Sequence, residues 1–220
     1  MMAEVAVKRT PGRGRFITFE GGEGSGKSTQ LSLAAERLRE TERDVVVTRE
    51  PGGTAVGQRL RDILMDAGNA HLDPVAEWLL LEADRRQHVG ELLAPALARG
   101  AFVLCDRYAD ATEAYQGAGR GIDLAAISFV DGLARGGVRP EMTLLYDLDP
   151  REGLSRARSR DGERSGRFES ADLAFHERVR RAYLAIAARE PGRVAVIPAA
   201  APPERVFLDT WRLLSERLGL

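Results

Sequence analysis

The sequence predicts a three-layer α/β fold, in which a parallel sheet of about five strands is flanked by helices. Three observations predict it. Short apolar runs at 16–19, 45–47, 102–105, 144–148 and 194–197 alternate with longer helical stretches. Each run is continuously apolar or nearly so, the pattern of a strand buried on both faces. A glycine-rich turn follows the first run and opens a helix, the setting in which backbone amides bind phosphate.

Taken in order, residues 1–14 are polar and basic, with Pro11, Gly12 and Gly14, and read as a loose extension ahead of a single domain, 15–220. The first strand leads through the glycine-rich turn into a helix over about 28–39. A second strand ends in a Pro/Gly-rich loop. Asp73 then Pro74 give an N-cap and a first-turn proline. That helix carries Trp78, Leu81, Arg85 and His88 toward Leu97, with Pro95 bending its end. After the fourth strand, residues 156–169 are dense in Arg, Ser, Gly and Asp and read as a mobile surface segment between two helices. Pro202 and Pro203 open a last helix with Val206, Leu213 and Leu218.

A length of 220 residues suits one compact domain. The net charge of −1 leaves no global basic field, so neither nucleic acid nor a membrane is expected as partner. No run reaches the length of a membrane span, the start lacks a signal-like apolar segment, and Cys105 alone forms no disulfide framework. A cytoplasmic enzyme is expected. His71, His88 and His176 have no metal-ligand spacing; His88 reads as structural, Cys105 as a core filler, and Trp78 and Trp211 as packing anchors. Of 32 basic residues only Lys8 and Lys27 are lysines, so a lysine here invites a reason.

Gly21, Gly22, Glu23, Gly24, Ser25, Gly26, Lys27 and Ser28, followed by Thr29, match the P-loop pattern. The glycines let amides point at phosphate oxygens, aided by the helix N-terminus. Lys27 supplies a compact charge to the β- and γ-phosphates where a planar guanidinium fits poorly. Ser28 offers a hydroxyl to Mg²⁺. Asp106 closes the third strand beside this loop, as a magnesium-holding carboxylate does, a structural ion pair being the alternative. Arg107 adjoins it, within reach of a phosphate. Arg49, in the Pro/Gly-rich loop 48–54, points into the ligand crevice unless that loop is an ordinary turn.

The P-loop with Glu23, Arg49-Glu50-Pro51-Gly52-Gly53-Thr54, Ala83-Asp84-Arg85, Asp106-Arg107-Tyr108 and Ala114-Tyr115-Gln116-Gly117 together resemble the bacterial thymidylate kinases, in order and approximate spacing. The resemblance covers nearly everything from Arg15 to the C-terminus. It implies a P-loop nucleoside monophosphate kinase that uses ATP and Mg²⁺ to convert dTMP into dTDP, working as a homodimer. It implies that Arg49 and Arg107 hold the acceptor phosphate, that Arg85 and Gln116 bond the thymine edge, and that Thr112 keeps a hydroxyl near the base. Tyr115 is implied beside the sugar, and Glu23 as positioning Mg²⁺ or the acceptor. The peptide between Glu50 and Pro51 is implied to be cis. Members with glycine after the P-loop acid, as Gly24 is here, carry a catalytic arginine in the lid. Arg160 leads, with Arg156 and Arg164 next; Arg156 is also implied at ATP. One departure stands out: Leu81 occupies the place of an aromatic that stacks on thymine. Two rivals stay open at this point, a kinase for another nucleoside monophosphate and a P-loop switch protein. Gln116, Arg85 and Leu81 discriminate the first, and acceptor-dependent ADP release discriminates the second.

Overall fold

The computed structural model describes residues 14–161 and 171–220. Five strands, β1 (Arg15–Gly21), β2 (Val45–Arg49), β3 (Phe102–Asp106), β4 (Met142–Asp147) and β5 (Val194–Pro198), form one parallel sheet in the order β2-β3-β1-β4-β5. The fourth strand starts at Met142 and stops at Asp147, so Leu148, expected inside it, lies just beyond.

Nine α-helices surround the sheet among the described residues: α1 (Lys27–Arg39), α2 (Ala55–Met65), α3 (Pro74–His88), α4 (Ala94–Ala98), α5 (Ala109–Thr112), α6 (Leu124–Arg135), α7 (Pro150–Asp161), α8 (Leu173–Arg189) and α9 (Pro203–Leu218). Alternating strand residues feed opposite layers. Ile17, Phe19, Leu104, Leu144 and Tyr146 pack with Leu31 and Leu38 of α1 and Leu214 and Leu218 of α9. On the other face Phe16, Val103 and Cys105 meet Val89, Leu93 and Ala96, while Leu145 meets Phe175, Val179 and Tyr183. Each large side chain so buried is worth about 1.5–3 kcal/mol of transfer free energy. Buried hydroxyls pair within the core: Thr18 with Thr143 at 2.7 Å, and Tyr146 with Thr210 at 3.1 Å.

The structure revises three expectations. Burial on both faces holds for β1, β3 and β4, but β2 and β5 are edges, and Val47 and Val196 are exposed. The helix from Pro74 does run to the neighbourhood of Leu97, but its irregularity is a π-helical turn, Val89–Leu93, placed before Pro95. A proline ring cannot sit against the carbonyl one turn earlier, and widening that turn relieves the conflict. The arginine-rich segment is helical at its start, because α7 runs through Arg156 and Arg158 to Asp161. Its remainder, including Arg164, lies outside the described residues.

The carboxyl ends of the strands set out the site. The β2–β3 register places Arg49 beside Asp106, and the β1–β3 register places Phe19 beside Asp106. Gly21, Arg49 and Asp106 therefore open onto one crevice where the strand order reverses.

Candidate active site

The phosphate-binding turn leaves β1 at Gly21 and enters α1 at Lys27. Gly26 caps α1 at φ 81°, a left-handed conformation that a side chain would disfavour. A Cβ on Gly24 would lie 2.0 Å from the Gly153 carbonyl oxygen, so the loop is seated directly on the first turn of α7. Lys27 is buried, and its Nζ donates to the Gly22 carbonyl at 3.3 Å. Burial and the neighbouring Arg107 lower its pKa, against the pull of Glu23, Asp106 and Glu20. Ser28 Oγ donates to Asp106 Oδ2 at 2.5 Å.

Arg107 takes φ 70°, unusual for a non-glycine residue. The chain bends there because Glu20, wholly buried at the end of β1, accepts the Tyr108 amide at 2.7 Å and the Tyr183 hydroxyl at 2.8 Å. Burial, with Asp110 nearby, pushes the Glu20 carboxyl up to about 8. Arg107 then reaches forward, donating to Glu23 Oε1 at 2.6 Å and lying 4.7 Å over the Tyr115 ring. Tyr115 also donates to Glu23, at 3.0 Å. Burial alone would raise the Glu23 carboxyl, but Arg107, Lys27 and Tyr115 hold it down to about 2.

The loop after β2 has a cis peptide between Glu50 and Pro51, as expected. Arg49 Nη2 donates to Gln58 Oε1 at 2.9 Å, and Arg61, on α2, donates to the Pro51 carbonyl at 3.1 Å. Burial lowers the Arg61 pKa, and the cations Arg49 and Arg107 add to the effect. Three guanidiniums thus converge on one space.

Farther in, Arg85 is a buried hub. Its Nε donates to Glu50 Oε2 at 2.9 Å, Nη1 to Glu82 at 2.9 Å and Asp131 at 3.2 Å, and Nη2 to Thr112 Oγ1 at 3.0 Å. The other Glu50 oxygen accepts from His88 Nδ1 at 2.8 Å, and His88 Nε2 pairs with Thr48 Oγ1 at 2.7 Å, so this histidine is structural. Gln116 Nε2 donates to Glu77 Oε1 at 2.8 Å. Leu81 is half-buried on the same face of α3 as Arg85.

One cavity of about 320 Å³ joins these parts. It is lined by Glu23, Gly24, Gly26, Lys27, Ser28 and Thr29 at one end, Arg49, Asp106 and Arg107 in the middle, and Leu81, Arg85, Thr112, Tyr115 and Gln116 at the other. Gly21 and Gly22 line a water-sized hollow of about 20 Å³ behind the loop. Ser25 is buried outside both linings. Arg156 faces away from the cavity, donating to the carbonyls of Ala199 at 3.0 Å and Ala200 at 2.9 Å. Arg160 lies on α7, and its side chain is outside the described residues. The sequence reading did not single out Glu50, Arg61 and Met65 as lining, nor Glu20 and Glu77 behind it. Arg61 and Met65 share α2 at a four-residue spacing, but nothing in the sequence told which face of that helix turns inward.

The thymidylate kinase family model matches residues 19–209. The chain belongs to the thymidylate kinase family. It is 50% identical over 208 residues to the thymidylate kinase of Solidesulfovibrio magneticus, covering 92% of this chain and all of that one. The Deinococcus radiodurans enzyme is 48% identical, with 93% and 98% covered. Among solved structures, thymidylate kinase from Ehrlichia chaffeensis superposes with a TM-score of 0.76 at 35% identity, covering 91% of this chain and 98% of that one. The chain is an enzyme that phosphorylates dTMP with ATP as donor. Among the described residues no helix is long and apolar enough to cross a membrane.

Proposed function

We propose that the cavity of about 320 Å³ is where ATP and dTMP meet, with the residue roles read from the sequence. The continuity of that cavity, from Lys27 through the arginine cluster to Arg85 and Gln116, carries the reading. An acceptor phosphate oxygen attacks the γ-phosphorus of ATP in line; the new P–O bond forms as the β–γ bridge breaks and ADP leaves. The protein contributes position and charge, with no covalent intermediate. Gly21, Gly22, Gly24, Ser25, Gly26 and Thr29 cradle the ATP phosphates, and Lys27 neutralises the transferred group. Arg107 and Arg49 hold the acceptor phosphate, with Arg61 as a third cation. Glu23, kept ionised by Arg107, orients that guanidinium. Arg85, Gln116, Thr112 and Leu81 take the base, and Tyr115 the sugar. Arg160 is the lid arginine at the reacting centre, with Arg156 and Arg164 its alternates, and Arg156 also meets ATP once released from its two carbonyls.

Ser28 and Asp106 suit Mg²⁺. A hydroxyl and a carboxylate are hard oxygen donors, already adjacent, and few enough to leave coordination for phosphate oxygens and water. The ion, when bound, neutralises charge on the β- and γ-oxygens. Among the described residues no three carboxylates, histidines or cysteines gather into an independent metal site.

The working unit is one domain from residue 15 to 220 with a lid around 156–169, in the cytoplasm, as a homodimer. Val56 and Ile63 on α2, Val75 and Leu79 on α3, and Leu124, Phe129 and Leu133 on α6 are exposed, Phe129 at 70%. α3 packs against both α2 and α6, and we infer that these exposed apolar side chains belong to a surface of a kind that association covers. Sedimentation of Phe129→Glu tests it; an unchanged mass would remove this face as the interface.

The test of the acceptor assignment is coupled ADP release with dTMP, dUMP, dCMP, dGMP, UMP and AMP. dTMP should give the highest kcat/KM. Equal rates for a purine nucleotide would sink it.

A further inference from the structure

Pyrimidines differ along one edge. Thymine presents an N3–H donor and an O4 acceptor; cytosine presents an N3 acceptor and an N4–H₂ donor. A glutamine amide carries both a carbonyl and an NH₂, and a half-turn about its last bond exchanges them. Gln116 alone therefore cannot tell the two bases apart.

We infer that Glu77, which does not line the cavity, is the positioning residue that makes Gln116 read a 3-NH, 4-keto pyrimidine and refuse a 4-amino one. The inference rests on the base-edge reading proposed above and deepens it. Glu77 is wholly buried on α3, one turn before Leu81. Its Oε1 accepts from Gln116 Nε2 at 2.8 Å and, more weakly, from Arg120 Nε at 3.5 Å, and its Oε2 accepts from Arg120 Nη2 at 3.2 Å. A carboxylate only accepts, so whichever end of the Gln116 amide faces it must be the NH₂. The orientation is dictated by the partner's chemistry. Gln116 is itself buried, and its carbonyl is left to face the cavity. Arg85, its donors directed by Glu50, Glu82, Asp131 and Thr112, offers only N–H groups to the same pocket. The edge is then one fixed acceptor and one fixed donor, the complement of N3–H and O4. Cytosine would meet donor with donor and acceptor with acceptor. Turning the amide to welcome it would aim the Gln116 carbonyl at a buried carboxylate oxygen with no hydrogen between the two. A 5-methyl group plays no part, so uracil passes this filter as thymine does.

Glu77→Gln is the decisive variant, because it keeps the volume and removes the acceptor-only rule. Arg120 makes its shorter contact to Oε2, so a carbonyl there turns the new NH₂ toward Gln116 and admits the reversed amide. The ratio of kcat/KM for dTMP over dCMP should fall about tenfold or more, the scale set by unpaired polar groups at a recognition edge. A purely structural role for Glu77 would lower both values by one factor, and an unchanged ratio overturns the inference. Glu77→Asp keeps an acceptor-only group, and its ratio should stay closer to wild type than that of Glu77→Gln, whatever its rate. Gln116→Leu separates the two readings. If it leaves KM for dTMP unchanged, the base-edge reading itself is wrong; if it raises that KM while Glu77→Gln spares the ratio, only the role of Glu77 is. Should the Glu77 variants fail to fold, a neutron diffraction structure of the wild-type crystal soaked in dCMP decides, because it places the amide hydrogens directly. Gln116 Nε2 should remain on Glu77, and an amide reversed toward cytosine N3 overturns the idea.

Discussion

The two ends of the cavity are built on opposite plans. At the phosphate end, cations lie close together with few anions among them: Lys27, Arg107, Arg49 and Arg61 share the space chiefly with Glu23 and Asp106. Mutual repulsion there is relieved by the ligand's own charge. At the base end the protein has already settled its electrostatics. Arg85 is surrounded by Glu50, Glu82 and Asp131, and Gln116 is tied to Glu77, all buried. One end is finished by its substrate, whereas the other is finished before the substrate arrives. Removing a charge should therefore cost function at the first and folding at the second.

The largest effect expected from this contrast is at Arg85. Arg85→Met leaves three buried carboxylates without their shared cation, and removing one partner of a buried pair costs about 3–5 kcal/mol. Denaturant unfolding measures it, and a loss below about 1 kcal/mol would show that the base end is not pre-built in this sense. Lys27→Ala should behave in the opposite way. Turnover in the ADP-release assay should drop by about 10²–10³, the scale for one charge-stabilising donor, while the unfolding midpoint holds. A variant that is unfolded, or fully active, breaks the comparison at its other end.

Glu20 sharpens the comparison, being a buried carboxyl beneath the phosphate end. Its pKa of about 8 lies above the ordinary 4.5, and burial with Glu50 nearby likewise lifts Asp84 to about 6. A carboxyl raised in the folded state holds its proton longer when folded. Its contribution to stability is full below the unfolded pKa and is lost as pH rises through the folded one. Unfolding free energy should thus decline from near pH 4 toward pH 8, by about 1.4 kcal/mol per pH unit for each group titrating. Glu20 contributes to the slope up to about pH 8, so Glu20→Gln should flatten the part above pH 6 in a pH series of urea melts. A slope that survives the substitution would assign it elsewhere.

The smallest effect is at Leu81, which lines the cavity beside Arg85. Leu81→Phe should strengthen dTMP binding by about 0.5–1.5 kcal/mol through ring stacking, and dUMP by the same amount, since stacking does not depend on the 5-methyl. Calorimetric titration of both nucleotides checks this. Weaker binding of both would mean the larger ring overpacks a base end already full.

This division also explains what was legible in the sequence. The five strands could be read because parallel strands are apolar throughout, and the phosphate end could be read because glycines, lysine and serine must recur at fixed spacing to cradle a phosphate. The order of the strands could not, since it depends on pairing between distant segments; hence the exposure of Val47 and Val196 was missed. At the base end Arg85, Thr112 and Gln116 were reached through resemblance, but their holders were not. Glu77, Glu82 and Asp131 sit on helices among exposed neighbours, and a buried carboxylate there is spelled like a solvated one. Only the fold shows that these acids turn inward to meet a guanidinium or an amide.

The buried indole of Trp78 donates to Glu82 at 3.2 Å, and Glu82 in turn holds Arg85. The only other tryptophan, Trp211, lies on α9 beside Phe207 and under Arg37. The native protein therefore carries its own optical gauge. A base drawing on Arg85 would alter the charge next to Trp78, so tryptophan emission offers a direct optical readout of the base end.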